Sequence, residues 1–482
     1  MKAEKDQFTN NKNTMFSALA SYINNALFTT LPETADLSTL IEKKDIKAGV
    51  LEDTMGLHIH EFIHQLHNLS TTAGLQLLQS RLTALQIFAT GTDDNGHYIR
   101  QGSVYKNVND DLLRNFEEDY FRIIGCTEKI REQGYLTEFH FEETLMHEKT
   151  NDYDEPFTIA GMKLKFKIAG SQKEVEIDNI GYSMITEGIA YEIEKQVRNN
   201  ITGKTGAELE YYTPPMPYRL YRPIVEHLVG RECDLSELVK VGTIALQHKI
   251  PSHGLIVSTS ALKRGSSYFE DFSKDMMLEF EAAVSEYQET IDQLERTVFS
   301  STALKTGLST LNTITTCAIQ KRKADPFYEL IFLSHKLTLE NFTHIIMTGN
   351  FPPRCILQNK PDGTADYYWT GSNVSDLSDT EIGSISILQS ALQFSQLHLS
   401  SSAGFNNTSE LQNSQNNLSC PYIKICPLKN NRADPNLCSS SPWMHDVGTQ
   451  EGEVCWYVNG VKSLRNHRFR EYDDAYKNST PS

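Results

Sequence analysis

Basic residues are scarce relative to acidic ones: 45 Lys and Arg stand against 62 Asp and Glu, a formal net charge of -17 over 482 residues. So acidic a chain is repelled by phosphate, which argues against a general nucleic-acid or anionic-membrane binder. There is no run of about eighteen apolar residues that could cross a bilayer, so no membrane partner is expected. The N-terminus, Met1-Lys2-Ala3-Glu4-Lys5-Asp6-Gln7, has charges but no apolar stretch behind them; no secretory signal is read there, and a cytoplasmic protein is expected. No repeat with a period of roughly twenty to fifty residues appears, which excludes a solenoid. Cysteine is sparse, and half of the eight are solitary: Cys126, Cys233, Cys317 and Cys355 are spread singly, as small buried hydrophobes are.

What remains is ordinary globular material. Apolar residues make up 39% and charged residues 22%, and the length predicts roughly two to four domains with ample core. The periodicities predict an α+β protein, predominantly α-helical. Phe16, Leu19, Ile23 and Leu27 recur at helical spacing, so residues 1–50 read as an N-terminal helical segment. Residues 51–232 read as a core containing an insertion at 92–178. That insertion shows helical spacing over 108–131, then alternation over 157–168 and 175–177, the pattern of a β-hairpin. A helical domain follows at 233–349, with long helices expected over 276–298 and 326–347. Residues 350–418 are Ser/Asn/Gln-rich and read as a polar connecting region, 399–418 as a flexible linker. Residues 419–482 form a Cys-rich C-terminal module.

The chemistry concentrates in Leu57-His58-Ile59-His60-Glu61-Phe62-Ile63-His64-Gln65-Leu66-His67. Residues four apart on a helix share a face, so His60 and His64 can close on one ion, with Glu61 one step to the side. This is H-E-x-x-H: two metal-ligating imidazoles and a carboxylate placed as a general base toward water. Phe62 and Ile63 between them suit a buried helix. Ser70-Thr71-Thr72 then reads as the cap of a second helix, buried through Leu75, Leu77, Leu78, Leu82, Leu85 and Phe88. His67 continues the histidine face, but three side chains projecting one way from a regular helix cannot surround an ion tetrahedrally. It is therefore placed behind the ligands or toward substrate. His58 is read as solvated or capping.

A second segment, Ile185-Thr186-Glu187-Gly188-Ile189-Ala190-Tyr191-Glu192-Ile193-Glu194, resembles the E-G-x-A stretch that carries the third ligand in gluzincins, the zincin group of thermolysin-like proteases and zinc aminopeptidases. The Ser70-Thr71-Thr72-Ala73-Gly74-Leu75 continuation is also similar to that of bacterial zincin-like proteins. The resemblance covers about the first half of the chain. It implies zinc held by His60, His64 and Glu187, with Gly188 permitting close helix packing and Ala190 keeping that face small. The spacing departs from the family, since more than a hundred residues separate His64 from Glu187. The activity it implies is a zinc metallopeptidase acting on a peptide or protein.

Several roles stay open. Glu194, seven residues after Glu187, is placed to hydrogen-bond a ligand histidine, with Tyr191 between them; Glu192 reads as solvated. An all-structural reading pairs these glutamates with Lys195 and Arg198 instead. Tyr218, Tyr221, Arg222 and His227 are candidates for the donor that steadies a developing oxyanion. Cys420, Cys426, Cys438 and Cys455 could hold a second metal, as a structural zinc or an iron–sulfur cluster, although they lack the C-x2-C knuckle; unmetallated or disulfide-bonded cysteines are the other readings. Two other functions compete with hydrolysis. One is a regulatory or binding protein on a zincin scaffold that catalyses little. The other is a di-iron carboxylate bundle, which would need a second E-x-x-H helix.

Overall fold

A computed structural model of the protein describes residues 21–23, 27–33, 48–93, 96–99, 122–125, 135–148, 157–169, 174–203, 210, 213–334, 338–345, 351–360, 362–372, 374–400, 404–414, 418–426, 428, 436–444 and 455–464. Helices dominate, with one four-stranded, one three-stranded and one two-stranded sheet, so the expected mainly helical α+β class holds.

The H-E-x-x-H sequence lies in α1 (Ala48–Ser70). Every side chain from Thr54 to Ser70 is buried. A helix covered on all sides needs neighbours on all sides. These are α2 (Thr72–Gly91), α3 (Tyr182–Thr202), α8 (Thr302–Ala324) and a β-sheet. The turn from α1 to α2 explains the S-T-x-x-G sequence. Thr71 Oγ1 accepts from the Gly74 N–H at 3.1 Å, capping α2. A Cβ on Gly74 would sit 2.1 Å from the His67 carbonyl oxygen, so only glycine allows so tight a turn.

Between α3 and α8 run α4 (Tyr221–Val229), α5 (Leu235–Ala245), α6 (Pro251–Lys263) and α7 (Ser266–Gln293). Asp234 and Glu237 form a capping box at the start of α5. The helix expected at 276–298 begins earlier, at Ser266, and ends in a π-turn over Leu294–Val298. Within the helix expected at 326–347, the described residues form three short turns, Tyr328–Leu330, Ile331–Ser334 and Leu339–Thr343; 335–337 and 346–347 lie outside the described residues.

Both strand pairs of the four-stranded sheet are far apart in sequence. Its order is β1 (Ser21–Ile23), β2 (Phe28–Leu31), β6 (Arg354–Asn359), β7 (Ala365–Thr370). β2 runs parallel to β6, with Phe28 opposite Cys355 and Leu31 opposite Gln358. Where it is described, the span 15–28 expected to be helical is strand at Ser21–Ile23 and Phe28 with a turn at Leu27; residues 15–20 and 24–26 lie outside the described residues. The pairing partner of β2 lies more than 300 residues downstream, beyond the reach of local periodicity. Leu31 and Ile356 pack on Leu57, seating this sheet against α1.

The three-stranded sheet comprises β3 (Leu136–Glu148), β4 (Phe157–Ile168) and β5 (Glu174–Ile177), all antiparallel. β4 and β5 are the expected hairpin. Met162, Leu164, Phe166 and Ile168 point inward and alternate with three half-exposed lysines, Lys163, Lys165 and Lys167. β4 packs on α6, and Phe141 of β3 stacks on His227 of α4 at 3.9 Å. The helix expected over 108–131 lies outside the described residues except at 122–125.

The polar connecting region expected at 350–418 is also different. It supplies β6, β7 and α9 (Asp379–His398), a buried helix packed on α8 and on the helix Trp456–Ser463. Its serines are buried because they bond within the helix: Ser386 Oγ donates to Ile382 O at 2.8 Å and Ser390 Oγ to Ser386 O at 2.7 Å. Their small size lets α8 approach until a Cβ on Gly307 would be 2.4 Å from Ser384 O. Within the expected linker, Thr408–Ser414 is helical and buries Leu411.

Candidate metal centre

α1 and α3 lie side by side, and the two motifs meet between them. His60 Nε2 and His64 Nε2 each lie 3.1 Å from Glu187 Oε2. All three ligand atoms fall within 4.8 Å of one another, and this is the one such group among the described residues. Ligands about 2.0–2.1 Å from a tetrahedral zinc are about 3.3 Å apart along the tetrahedron's edge, so the 3.1 Å separations fit such an ion. The His60 and His64 side chains are 7% and 10% exposed and that of Glu187 is 20% exposed, so solvent reaches the group from the Glu187 side. Gly188 lets α4 approach α3 closely: a Cβ there would lie 2.1 Å from Tyr221 Cβ. Ala190 is fully buried.

Behind each imidazole stands a second group. Glu194 Oε2 is 2.8 Å from His60 Nδ1, and its other oxygen accepts from Arg198 Nε at 2.7 Å. Arg198 lies across α1 at Gly56, where a Cβ would come within 2.8 Å of Arg198 Nε. Burial pushes the Glu194 carboxyl up, but Arg198 and His60 outweigh it and hold the group down to about 2. Burial likewise disfavours the charged form of His60, yet Glu187 and Glu194 together raise its pKa well above the usual value. Glu187 is held well below the carboxylate range, because His64 and His60 outweigh its burial. Two imidazoles and a carboxylate so placed could hold a metal ion. Behind His64, Thr186 Oγ1 lies 3.2 Å from Nδ1.

Glu61 is 3% exposed, and burial together with the charges of Glu187, Glu61 and Glu194 raises the Tyr218 phenol well above its ordinary pKa. Tyr218 sits with its ring centroid 5.7 Å from that of His60, and Tyr191 is 6.2 Å from Tyr218. A phenol so held stays protonated and can donate.

Other candidates are placed elsewhere. Tyr221 turns away, donating to Leu238 O at 2.6 Å and filling the space between Gly188 and Gly242. His227 is exposed and stacked on Phe141. Arg222 donates to Glu192 at 2.6 Å; Glu192, expected to be solvated, is 3% exposed and also pairs with Lys195. His58 is fully buried beneath Arg354, not solvated. His67 points away from Glu187, toward Thr186 and Glu329, behind the ligands. Cys420, Cys426, Cys438 and Cys455 gather loosely. The Cys420 N–H donates to Cys438 O at 2.8 Å, and the other three thiols add to burial in raising the Cys420 thiol. The cysteines form no ligand group of three or more within 4.8 Å, so the described residues show no second metal centre.

No family model, curated protein or solved structure matches this chain. No described helix is long and apolar enough to cross a membrane.

Reading the sequence alone missed Thr186, Arg322, Glu329 and Arg354. Thr186 adjoins Glu187 and could have been noticed for that reason. The other three come from elements with no local signal linking them to α1.

Proposed function

We propose that this chain is a zinc-dependent hydrolase of zincin-like architecture, acting on peptide bonds. The observation that carries the reading is the convergence of His60, His64 and Glu187, with both imidazole Nε2 atoms 3.1 Å from Glu187 Oε2 and all three ligand atoms within 4.8 Å of one another. Bound zinc would supply Lewis acidity toward water and a substrate carbonyl. Glu61, adjacent and buried, would accept the proton of the attacking water and pass it to the leaving amine. Tyr218, protonated beside His60, would donate to the oxygen on which charge develops. Glu194 would hold His60 with its Nε2 lone pair toward the ion.

A second reading, a metal-holding binding protein with little turnover, draws on burial: His60 is 5%, Glu61 3% and His64 8% exposed. A di-iron bundle fits less well, since Glu61 is not in the ligand group and no second E-x-x-H helix joins it among the described residues.

Metal analysis of purified wild type beside Glu187→Ala, followed by a peptide-library screen of wild type against Glu61→Gln, tests the proposal. One zinc per chain lost in Glu187→Ala, with cleavage lost in Glu61→Gln, is expected. Zinc retained in Glu187→Ala would refute the site; stoichiometric zinc with no Glu61-dependent cleavage would favour the binding protein.

A further inference from the structure

Resting on the reading of His60, His64 and Glu187 as a metal site, we propose that a buried chain, Arg322–Glu329–His67–Thr186, fixes the tautomer of His64 and so sets the affinity of the site. Thr186, His67 and Glu329 are then positioning residues, supplied in part by a turn far from either motif.

The geometry is continuous. Arg322 of α8 donates through its guanidinium to both oxygens of Glu329, one of these bonds at 2.8 Å. Its Nε donates to Ser70 O at 3.1 Å, the last carbonyl of α1, and Nη1 to Pro326 O at 2.7 Å. Glu329 Oε1 is 2.9 Å from His67 Nε2. His67 Nδ1 is 2.7 Å from Thr186 Oγ1, which is 3.2 Å from His64 Nδ1. The side chains of Arg322, Glu329 and His67 are all 0% exposed.

Buried so completely, each polar atom must use a partner within the chain, and proton counting then fixes every direction. Ionised Glu329 can only accept, so His67 Nε2 carries a proton and donates. Arg322 already balances Glu329, and a protonated His67 would be a buried cation without a counter-charge, so His67 is neutral. Burial and Arg322 both oppose its protonation, in the direction of its lowered pKa. Its Nδ1 is therefore a lone pair, and the Thr186 hydroxyl donates its one proton there. The Thr186 oxygen is left to accept, and His64 Nδ1–H must donate to it. With Nδ1–H committed to Thr186, Nε2, 3.1 Å from Glu187 Oε2, is the nitrogen left to offer a lone pair when a metal is bound. A reversed chain would put a hydrogen on that nitrogen and block it. An ion pair on α8 and its following turn thus dictates which nitrogen of a ligand on α1 is open.

Competitive zinc titration of the full-length chain tests this, with ring-labelled ¹⁵N-histidine NMR reading His67. Glu187→Ala is the arm for the metal reading itself. Thr186→Val is near-isosteric and removes only the bridging oxygen; it should weaken zinc about 10- to 100-fold, and Thr186→Ser should restore most of that. Glu329→Gln should weaken zinc in the same direction. His67 should carry its proton on Nε2 with or without zinc. Wild-type zinc affinity in Thr186→Val would overturn the proposal, as would a His67 proton on Nδ1. If Glu187→Ala keeps its zinc, the metal reading falls separately, and the NMR still decides the direction of the chain.

Discussion

Gly188 is where the sequence motif and the packing meet, and Gly188→Ala is the sharpest test of how the site is held. The added methyl would lie 2.1 Å from Tyr221 Cβ, 2.4 Å from Cγ and 2.9 Å from Cδ1. Ordinary contact starts near 3.4 Å, so α3 and α4 must part by about 1.3 Å at this point. Tyr221 cannot retreat. It is 1% exposed, its hydroxyl donates to Leu238 O at 2.6 Å, and that hydroxyl already touches Gly242, where a Cβ would be 2.3 Å away. Overpacking of this kind costs about 1–3 kcal/mol, and a strained or lost Tyr221 hydrogen bond adds about 1 kcal/mol. A loss of about 2–4 kcal/mol is therefore expected in urea unfolding of the metal-free protein, lowering the midpoint without changing the slope. Glu187 precedes the residue that moves, so zinc affinity should fall too. Gly188→Ala/Tyr221→Ala should recover part of the zinc affinity, because the clash is gone even though the ring's packing is lost. A Gly188→Ala protein within about 0.5 kcal/mol of wild type, with unchanged zinc binding, would refute the argument that α3 is held at closest approach.

Glu61→Gln should bind zinc as wild type does while peptide cleavage falls about 100- to 10,000-fold; equal cleavage rates would remove Glu61 as the base. Glu194→Gln should weaken zinc about 10- to 100-fold in a chelator competition, because His60 loses the carboxylate at 2.8 Å that orients it. The raised pKa of His60 sets a pH dependence with a definite sign. In the metal-free protein its contribution to stability is fully present below the unfolded value of 6.5 and is lost as pH rises through the folded pKa. Zinc needs the neutral ring, so binding releases a proton. The zinc-induced rise in melting temperature should therefore grow with pH; a rise that shrinks would contradict the assignment of His60 as ligand. Tyr218→Phe should leave zinc affinity unchanged and lower the cleavage rate, read from single-turnover kinetics; an unchanged rate would remove Tyr218 as the donor.

Much of the candidate site was legible because its residues obey short-range rules. His60, Glu61 and His64 take their relation from helix periodicity alone, and Thr71 with Gly74 announces the turn that ends α1. The E-G-x-A sequence marked Glu187, and the seven-residue spacing to Glu194 kept that side chain on the same face. Those positions needed only a helix to be meaningful. The misreadings share a different cause. The helical spacing read around Ile23 and Leu27 falls where β1 and β2 form, because a strand's partner cannot be seen from the strand itself. The serines of α9 looked like linker composition because burial of a hydroxyl bonded to its own helix leaves no apolar signature. Tyr221 and His227 sat at plausible spacing after Glu187, and only their packing, one under Gly188 and the other on Phe141, removes them.

The sequence by itself determined that two imidazoles share one helix face with a carboxylate one step to the side, and that a second helix carries acidic residues on a face kept small by Gly188 and Ala190. Helical geometry is local, and local rules suffice for that. Tertiary structure alone decided which atoms converge. It brought Glu187 Oε2 to 3.1 Å from both imidazoles across more than a hundred intervening residues. It laid Arg198 against Gly56 and set Arg322 and Glu329 behind His67. Contacts of that kind depend on which surfaces bury one another, a property of the whole chain that no segment carries alone.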